Sequence, residues 1–319
     1  MIPNLIHVAI GLAVLISGAW LTVRSASTLA ASFGLSRVVI GATVVAFGTS
    51  APEFVVSLFA ATHDATGIAV GNVLGSNVAN VALVLGISAL VAPMTVHWRL
   101  LRWEIPLLGG ATLVTVVFAA DGVVERWEGL LMFAGLVGFI ALSPRLFPEA
   151  VREEADEAVE QAPALSPGWR GGPLEGLLLV LGLIALTLGA DQAVRGAVSI
   201  AENIGISEIA IGATIVATGT SLPEVATSVV AAVRREHEIA VANVVGSNLF
   251  NLLGVVGLTA GIVTLEVDQD LFRFEIPALV LSTLVLLPLV WPRYRIARPE
   301  GALLVVLYVA FVVAVLVRS

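Results

Sequence analysis

Two matching phrases, Gly48-Thr49-Ser50-Ala51-Pro52-Glu53 and Gly219-Thr220-Ser221-Leu222-Pro223-Glu224, each set a carboxylate inside a long apolar stretch. Hydrocarbon strongly penalises an ionised Glu, so its expected counter-charge is a cation in transit. Pro52 has no N–H, and its ring collides with the carbonyl of Gly48; Pro223 does the same to Gly219. The freed carbonyl oxygens survive only inside protein or beside a wet cavity, where they can coordinate ions. Thr49 stands four residues before Glu53, and Thr220 four before Glu224, so hydroxyl and carboxylate share a helix face if the turn runs on through the proline. Every donor is an oxygen, which suits hard cations and Ca2+ in particular. A proline kink with a satisfied Glu would explain one such phrase but not two symmetric copies.

A second polar set follows each phrase: Asn72, Ser76, Asn77 and Asn80, then Asn243, Ser247, Asn248 and Asn251. Ser76 with Asn80, and Ser247 with Asn251, are four apart and line one stripe. Gly71, Gly75, Gly86, Gly246, Gly254 and Gly257 read as close-packing positions between membrane helices.

These residues need apolar helices to hold them. At 319 residues, 58% hydrophobic and 13% charged, the chain is too apolar for a soluble domain and reads as an all-α polytopic membrane protein. Ten stretches are long enough to cross about 30 Å of hydrocarbon: 5–31, 38–62, 68–92, 103–120, 127–147, 174–199, 208–232, 239–264, 274–291 and 300–317. The first is long and carries Arg24, so it is expected to be a retained helix and not a cleaved signal. The absence of cysteine excludes disulfides, thiolate metal sites and thiol nucleophiles.

All 16 basic residues are Arg. Alternate loops gather most of them on one side, including Arg37, Arg99, Arg102, Arg234, Arg235, Arg293, Arg295 and Arg298; the other side has Arg126, Arg195, Arg273 and Arg318. The positive-inside rule then puts both termini outside and the 148–173 loop in the cytoplasm of a multi-pass cell (inner) membrane protein. That loop is acidic, then rich in Pro and Gly, and lacks the ligand pattern of an EF-hand, so it reads as a solvated linker.

Sliding the chain by 171 residues (Arg24 onto Arg195) also brings Gly41-Ala42-Thr43 onto Gly212-Ala213-Thr214 and Glu104-Ile105-Pro106 onto Glu275-Ile276-Pro277. Two five-helix halves follow, 1–147 and 174–319, joined by 148–173. An odd helix number inverts the second half, giving the inverted-topology repeat of transporters that bind cargo at the midplane.

Gly-Thr-Ser-x-Pro-Glu followed by Gly-Ser-Asn-x-x-Asn, in each half, resembles the alpha repeats of the sodium/calcium exchanger family within the calcium/cation antiporters. The resemblance covers nearly the whole chain. It implies a secondary antiporter exchanging Ca2+ for Na+ by alternating access, with no cofactor and no catalysis. Glu53 and Glu224 would be shared by the two ions, Thr49 and Thr220 would add hydroxyl and carbonyl ligands, and Ala46 and Ala217 carbonyls. Ser76 and Ser247 would flank as Na+ ligands, and Asn80 and Asn251 would sit at the centre, with Ser50 and Ser221 completing the two phrases. Many members carry Asp at the position of Asn251. Two carboxylates balance one Ca2+ or two Na+, so the amide here implies weaker Na+ coupling or a different ion ratio.

The nearest rival is a Ca2+/H+ or K+-assisted antiporter on the same site, but proton-coupled relatives usually carry Gly-Asn-x-x-Glu in place of the Thr-Ser phrase. A passive channel would place its carboxylates around an axis normal to the membrane instead of on an in-plane pseudo-twofold. An enzyme is disfavoured because His7, His63, His97 and His237 fall at helix ends or loops. His237-Glu238 has Val241 where a zinc-protease motif needs its second His. The expected partners are the bilayer and small inorganic cations, not nucleic acid. Asp191 breaks the repeat, aligning with Trp20, and reads as the partner of Arg195 four residues on.

Overall fold

Long apolar runs broken by prolines, glycines and charge clusters give helices nearly throughout. The computed structural model describes residues 2–33, 35–146, 172–204, 217–291 and 293–318. The expected linker therefore falls almost wholly outside the described residues, as do residues 208–216 of the 208–232 segment. The helices are α1 Ile2–Phe33, α2 Arg37–Thr49, α3 Ala51–Thr62, α4 Thr66–Val91, α5 Leu100–Ala119, α6 Arg126–Leu146, α7 Gly172–Asn203, α8 Leu222–Val233, α9 His237–Ile262, α10 Glu275–Val290 and α11 Arg298–Arg318. Among the described residues, six helices (α1, α4, α5, α7, α9, α11) are long and apolar enough to span a membrane alone. The α2–α3 pair, bent by 45° at Ser50, makes a seventh. The other three expected stretches appear as α6, α8 and α10; the last two have 12 and 16 residues, short of the roughly 20 a straight crossing needs.

Four two-residue strands tie the loops together. They are β1 Met94–Thr95, β2 Val123–Val124, β3 Leu265–Glu266 and β4 Arg295–Ile296, and they pair antiparallel as β1 with β4 and β2 with β3. Thr95 Oγ1 lies 3.0 Å from Nδ1 of His237, the first residue of α9, whereas β3 follows the last turn of α9. The two strand pairs thus cap opposite ends of one spanning helix.

Residues 171 apart meet each other: Thr112 Oγ1 and Thr283 Oγ1 at 3.2 Å, and Asn248 Nδ2 donating to the Asn77 carbonyl at 3.3 Å. Asp64 and Arg235, also repeat equivalents, both take the left-handed conformation with φ 59° and 66°. Non-glycine residues rarely do so, so the same tight turn is built twice.

α1 and α7 pack along one another on glycine faces. A Cβ on Gly11 would stand 2.5 Å from Ala193 N, one on Gly18 2.7 Å from Leu186 N, and one on Gly182 2.5 Å from Thr22 Oγ1. Gly189 meets the Leu15 backbone just as closely. Small residues at heptad spacing let the two backbones approach where lipid supplies no hydrophobic drive.

The other glycines expected to pack divide. Gly86 fits against Gly301, Gly246 against Ala42, Gly254 against Leu136 and Gly257 against Phe133. Gly71 and Gly75 have nothing within 4 Å among the described residues. Gly246 is the repeat equivalent of Gly75, and the equivalent of its partner Ala42 is Ala213, which lies outside them.

Two charged positions complete the frame. Arg195 pairs with Asp191 at 2.8 Å on the exposed face of α7, as the spacing predicts. Arg99, read as a loop residue, is instead 0% exposed: its Nε donates to Glu104 Oε1 at 3.0 Å and Nη1 to Ser36 Oγ at 3.4 Å. Ser36 also caps α2 by accepting from Val39 N. Desolvation is tolerable because the guanidinium is both ion-paired and hydrogen-bonded.

Gly18→Ala should lose about 1–3 kcal/mol through overpacking at the α1–α7 seam, read as a lower melting temperature of the purified protein in detergent. Gly135→Ala, with no described atom within 4 Å, should cost nothing; equal stability of the two variants would overturn the close-packed seam.

Candidate cation-binding site

The two proline phrases bring their carboxylates into the centre of the bundle. Ser50 breaks α2 from α3, Pro52 sits in the first turn of α3, and Glu53 follows in that turn. Ser221, Pro223 and Glu224 repeat the arrangement at the start of α8, with nearly the same break geometry, φ −84° at both serines. A helix N-terminus without its own carbonyl partners is a place of unsatisfied donors and local polarity. Facing it, α4 and α9 each contain a π-helical turn, Asn80–Val84 and Phe250–Val256, at the level of Asn80 and Asn251. Such turns widen a helix and recur at functional sites.

Glu53 and Glu224 are both 0% exposed. Across the halves, Ser50 Oγ donates to Glu224 Oε1 at 3.1 Å, and Ser247 Oγ adds a longer contact to the same oxygen at 3.4 Å. Thr49 Oγ1 lies 3.3 Å from the Ala46 carbonyl, from Ser247 Oγ and from Asn243 Oδ1. Both Glu53 oxygens, Glu224 Oε2, Ser76 Oγ, Ser221 Oγ, Asn80 Oδ1 and both amide atoms of Asn251 are buried with no hydrogen-bond partner among the described residues. Neither carboxylate has an ion-pair partner there. Buried polar groups are normally satisfied, so a cluster of oxygens left open marks a place for something absent from the protein itself.

The structure brings Thr49, Ser50, Glu224 and Ser247 into direct contact, with Ala46 beside them. Ser76 and Asn251 are buried but without a partner, and Asn80 is engaged through Nδ2, which donates to Asn248 Oδ1 at 3.0 Å. Ala217 is the first described residue before the second phrase, in a helical turn with Thr218 and Gly219. The sequence reading left Asn243 and Asn248 out of the site. Asn243 touches Thr49, and Asn248 bridges the halves by holding Asn80 and the Asn77 carbonyl. Their signal was present in the repeated amides but could not be told from helix-joining Asn. Among the described residues no three His, Cys, Asp or Glu side chains converge, so all donors beyond the two carboxylates are neutral oxygens.

Access is uneven. Thr49 and Asn243 are fully buried, while their repeat equivalents Thr220 and Asn72 are partly exposed. Asn72 lies toward the start of α4, the end capped by β2 and β3. At the opposite end α1 closes over the turn between α8 and α9. Arg234 stacks on Trp20 at 4.1 Å, Ser27 Oγ donates to Glu236 Oε1 at 3.0 Å, and Arg37 pairs with Glu236 at 3.3 Å.

The family profile described as Sodium/calcium exchanger protein matches residues 4–143 and 175–317. The chain is 36% identical over 284 residues to the inner membrane protein YrbG of Escherichia coli, covering 89% of this chain and 87% of that one. It is 32% identical over 341 residues to the sodium/calcium exchanger MaX1 of Methanosarcina acetivorans, covering 97% of each. The solved structure of the sodium-calcium exchanger NCX_Mj soaked with zero Na+ and Ca2+ superposes with a TM-score of 0.82 at 30% sequence identity, covering 98% of this chain and 99% of that chain.

The two central amides should separate stability from binding. Asn248→Leu removes both ends of a bridge between halves and should lower stability by about 1–3 kcal/mol. Asn251→Leu removes an amide without a described partner, so its melting temperature should stay level or rise while its binding of radiolabelled Ca2+ falls. Equal destabilisation of both would show that Asn251 is a packing residue.

Proposed function

The chain belongs to the sodium/calcium exchanger family, and from that premise we propose that it exchanges Ca2+ for Na+ by alternating access at one midplane site built on Glu53 and Glu224. The observation that carries this reading is the pair of fully buried carboxylates, one from each half, with no cationic partner among the described residues. A charge so placed is costly unless its counter-ion arrives as cargo. Ca2+ and Na+ then compete for the same two negative charges, which is what couples their movements.

In this reading Glu53 and Glu224 supply the charge. Thr49, Thr220, Ser50 and Ser221 supply hydroxyl or carbonyl oxygens, and Ala46 and Ala217 supply carbonyls. Ser76 and Ser247 flank the centre as Na+ ligands, and Asn80 and Asn251 lie between them. Ca2+ accepts such a mixed, flexible oxygen shell. With amides at 80 and 251 the donor set has a charge of −2, which one Ca2+ or two Na+ balance. A third Na+ would leave an uncompensated positive charge in a low-dielectric site.

The architecture proposed is ten spans in two five-helix repeats, 1–147 and 174–319, of opposite orientation, joined by the 148–173 linker. Support comes from the strand pairs: β1–β4 and β3–β2 are repeat equivalents to within one residue of register, yet cap opposite ends of α9. An in-plane twofold does this, and an axis normal to the membrane does not. The β1–β4 end carries Arg37, Arg234, Arg235, Arg293, Arg295 and Arg298, so we place it, with the linker, in the cytoplasm and both termini outside. The identity to an inner membrane protein of Escherichia coli fits a cell (inner) membrane location. The partly exposed Thr220 and Asn72 then face outward, and the contacts of α1 with Arg234 and Glu236 close the inner side.

Uptake of radiolabelled Ca2+ into proteoliposomes tests the reading. Vesicles loaded with Na+ should accumulate Ca2+, those loaded with K+ should not, and Glu53→Gln and Glu224→Gln should each abolish uptake. Uptake driven by an acid interior alone would make the protein a Ca2+/H+ antiporter, and flux without any counter-ion would make it a channel. Exchange at two Na+ per Ca2+ should be electroneutral, so an imposed membrane potential should leave Na+-driven Ca2+ uptake unchanged; potential-driven uptake with three or more Na+ per Ca2+ would overturn the charge argument.

A further inference from the structure

The Thr49 hydroxyl has one proton and three acceptors at the same distance. Ala46 O, Ser247 Oγ and Asn243 Oδ1 all lie 3.3 Å from Thr49 Oγ1. Where the proton goes decides how many lone pairs remain for a cation. Given to Ala46, it occupies a carbonyl that the exchange reading needs as a ligand. Given to Ser247, it occupies an oxygen of a second ligand, whose own proton is directed to Glu224 Oε1. Of the three acceptors, only Asn243 lies outside the proposed donor set.

We infer that Asn243 is a positioning residue: it takes the Thr49 proton and so leaves Thr49 Oγ1 and the Ala46 carbonyl open to the ion. This rests on the reading of Thr49 and Ala46 as cation ligands. Asn243 can play the part because its amide is oriented from behind. Nδ2 donates to Ser228 Oγ at 3.1 Å, which turns Oδ1 toward Thr49. Asn243, Ser228 and Thr49 are all 0% exposed, so no water competes for these bonds. A neutral amide oxygen is a good acceptor that adds no charge, so the link sets direction without altering the ion count.

The amide–serine part of this arrangement recurs in the first half, where Asn72 Nδ2 also donates to the Glu53 carbonyl at 3.3 Å. Asn72 Nδ2 donates to Ser57 Oγ at 2.9 Å, and the sequence separation of 15 is the same as between Ser228 and Asn243. Ser57 in turn donates to the Ala69 carbonyl at 3.3 Å, so its lone pairs face the amide and the orientation of Asn72 is fixed. α3 and α8, which carry the carboxylates, are thereby pinned to α4 and α9, which carry the serines and central amides.

The test is a double-mutant cycle on the full chain in proteoliposomes, reading the internal Na+ that half-saturates Ca2+ uptake. Asn243→Leu should raise it about tenfold, the scale on which groups behind metal ligands act, with melting temperature within a few degrees of the parent. Thr49→Val should raise it as well, and adding Asn243→Leu to Thr49→Val should change it no further, because the amide acts through the hydroxyl. Ser228→Ala should move it in the same direction by a smaller factor, and carries the cycle if Asn243→Leu does not fold. Additive effects in the double variant, or a shift that merely tracks lost thermal stability, would overturn the assignment. Na+-independent uptake by the parent protein would instead overturn the exchange reading, so the two failures are distinguishable.

Discussion

Two carboxylates held in the middle of an apolar bundle, with no counter-charge beside them among the described residues, set the terms for the rest of the structure. A carboxylate at the bilayer centre costs a few kcal/mol even on the more lenient scales, and two facing each other add their repulsion. The protein meets that cost with neutral oxygens. Ser50 and Ser247 hydroxyls reach Glu224, while both Glu53 oxygens stay without a hydrogen-bond partner among the described residues. The oxygens they leave unsatisfied are the ones the proposed exchange reading gives to a cation. The broken helices, widened turns and paired amides all serve to keep oxygens open in a place where backbone and side chains would otherwise close on one another.

That requirement explains why rigidity is concentrated around the site and not in it. The amides of Asn72 and Asn243 are bonded to serines on the neighbouring helix, and Asn248 ties one half to the other. Farther out, Arg99 and Glu104 lock the start of α5 to the cap of α2 at Ser36. The glycine faces of α1 and α7 hold that pair together as a unit. Removing the bridge that Asn248 makes between the halves weakens the fold. Removing an unsatisfied group in the centre relieves it, which is the usual conflict between stability and function at a site.

Much of this was legible in the residues. Repeated Gly-Thr-Ser-x-Pro-Glu gave the carboxylates, the breaks and the hydroxyls, because proline chemistry and the cost of buried charge act locally. The 171-residue repeat gave the pairing of halves. What the sequence concealed depends on three-dimensional context. Arg99 counts as a loop charge by position, yet it is buried because Glu104 and Ser36 converge on it. Asn243 looks like any helix-joining amide until Thr49 is seen beside it. The π-helical turns at Asn80 and Phe250 have no composition of their own, since they arise where packing makes room for an extra residue.

The departures from the repeat carry a further consequence. If the halves were identical, exchanging their conformations would give a state of equal energy open to the other side, and a transporter would rest in neither. Here the equivalents of Trp20, Arg234 and Glu236 are Asp191, His63 and Ala65. The first three bind α1 to the α8–α9 turn. Asp191 is instead engaged by Arg195 of its own helix, and His63 stacks on Phe59 of its own helix. Ala65 has nothing to offer. α1 accordingly lies along α8 at one end, while among the described residues α7 and α3 make no packing of that extent at the other. A few kcal/mol from such contacts is enough to populate one access state over its mirror by factors of ten to a thousand. In the proposed exchange reading, the symmetric residues build the site, and the asymmetric ones decide which side of the membrane it faces at rest.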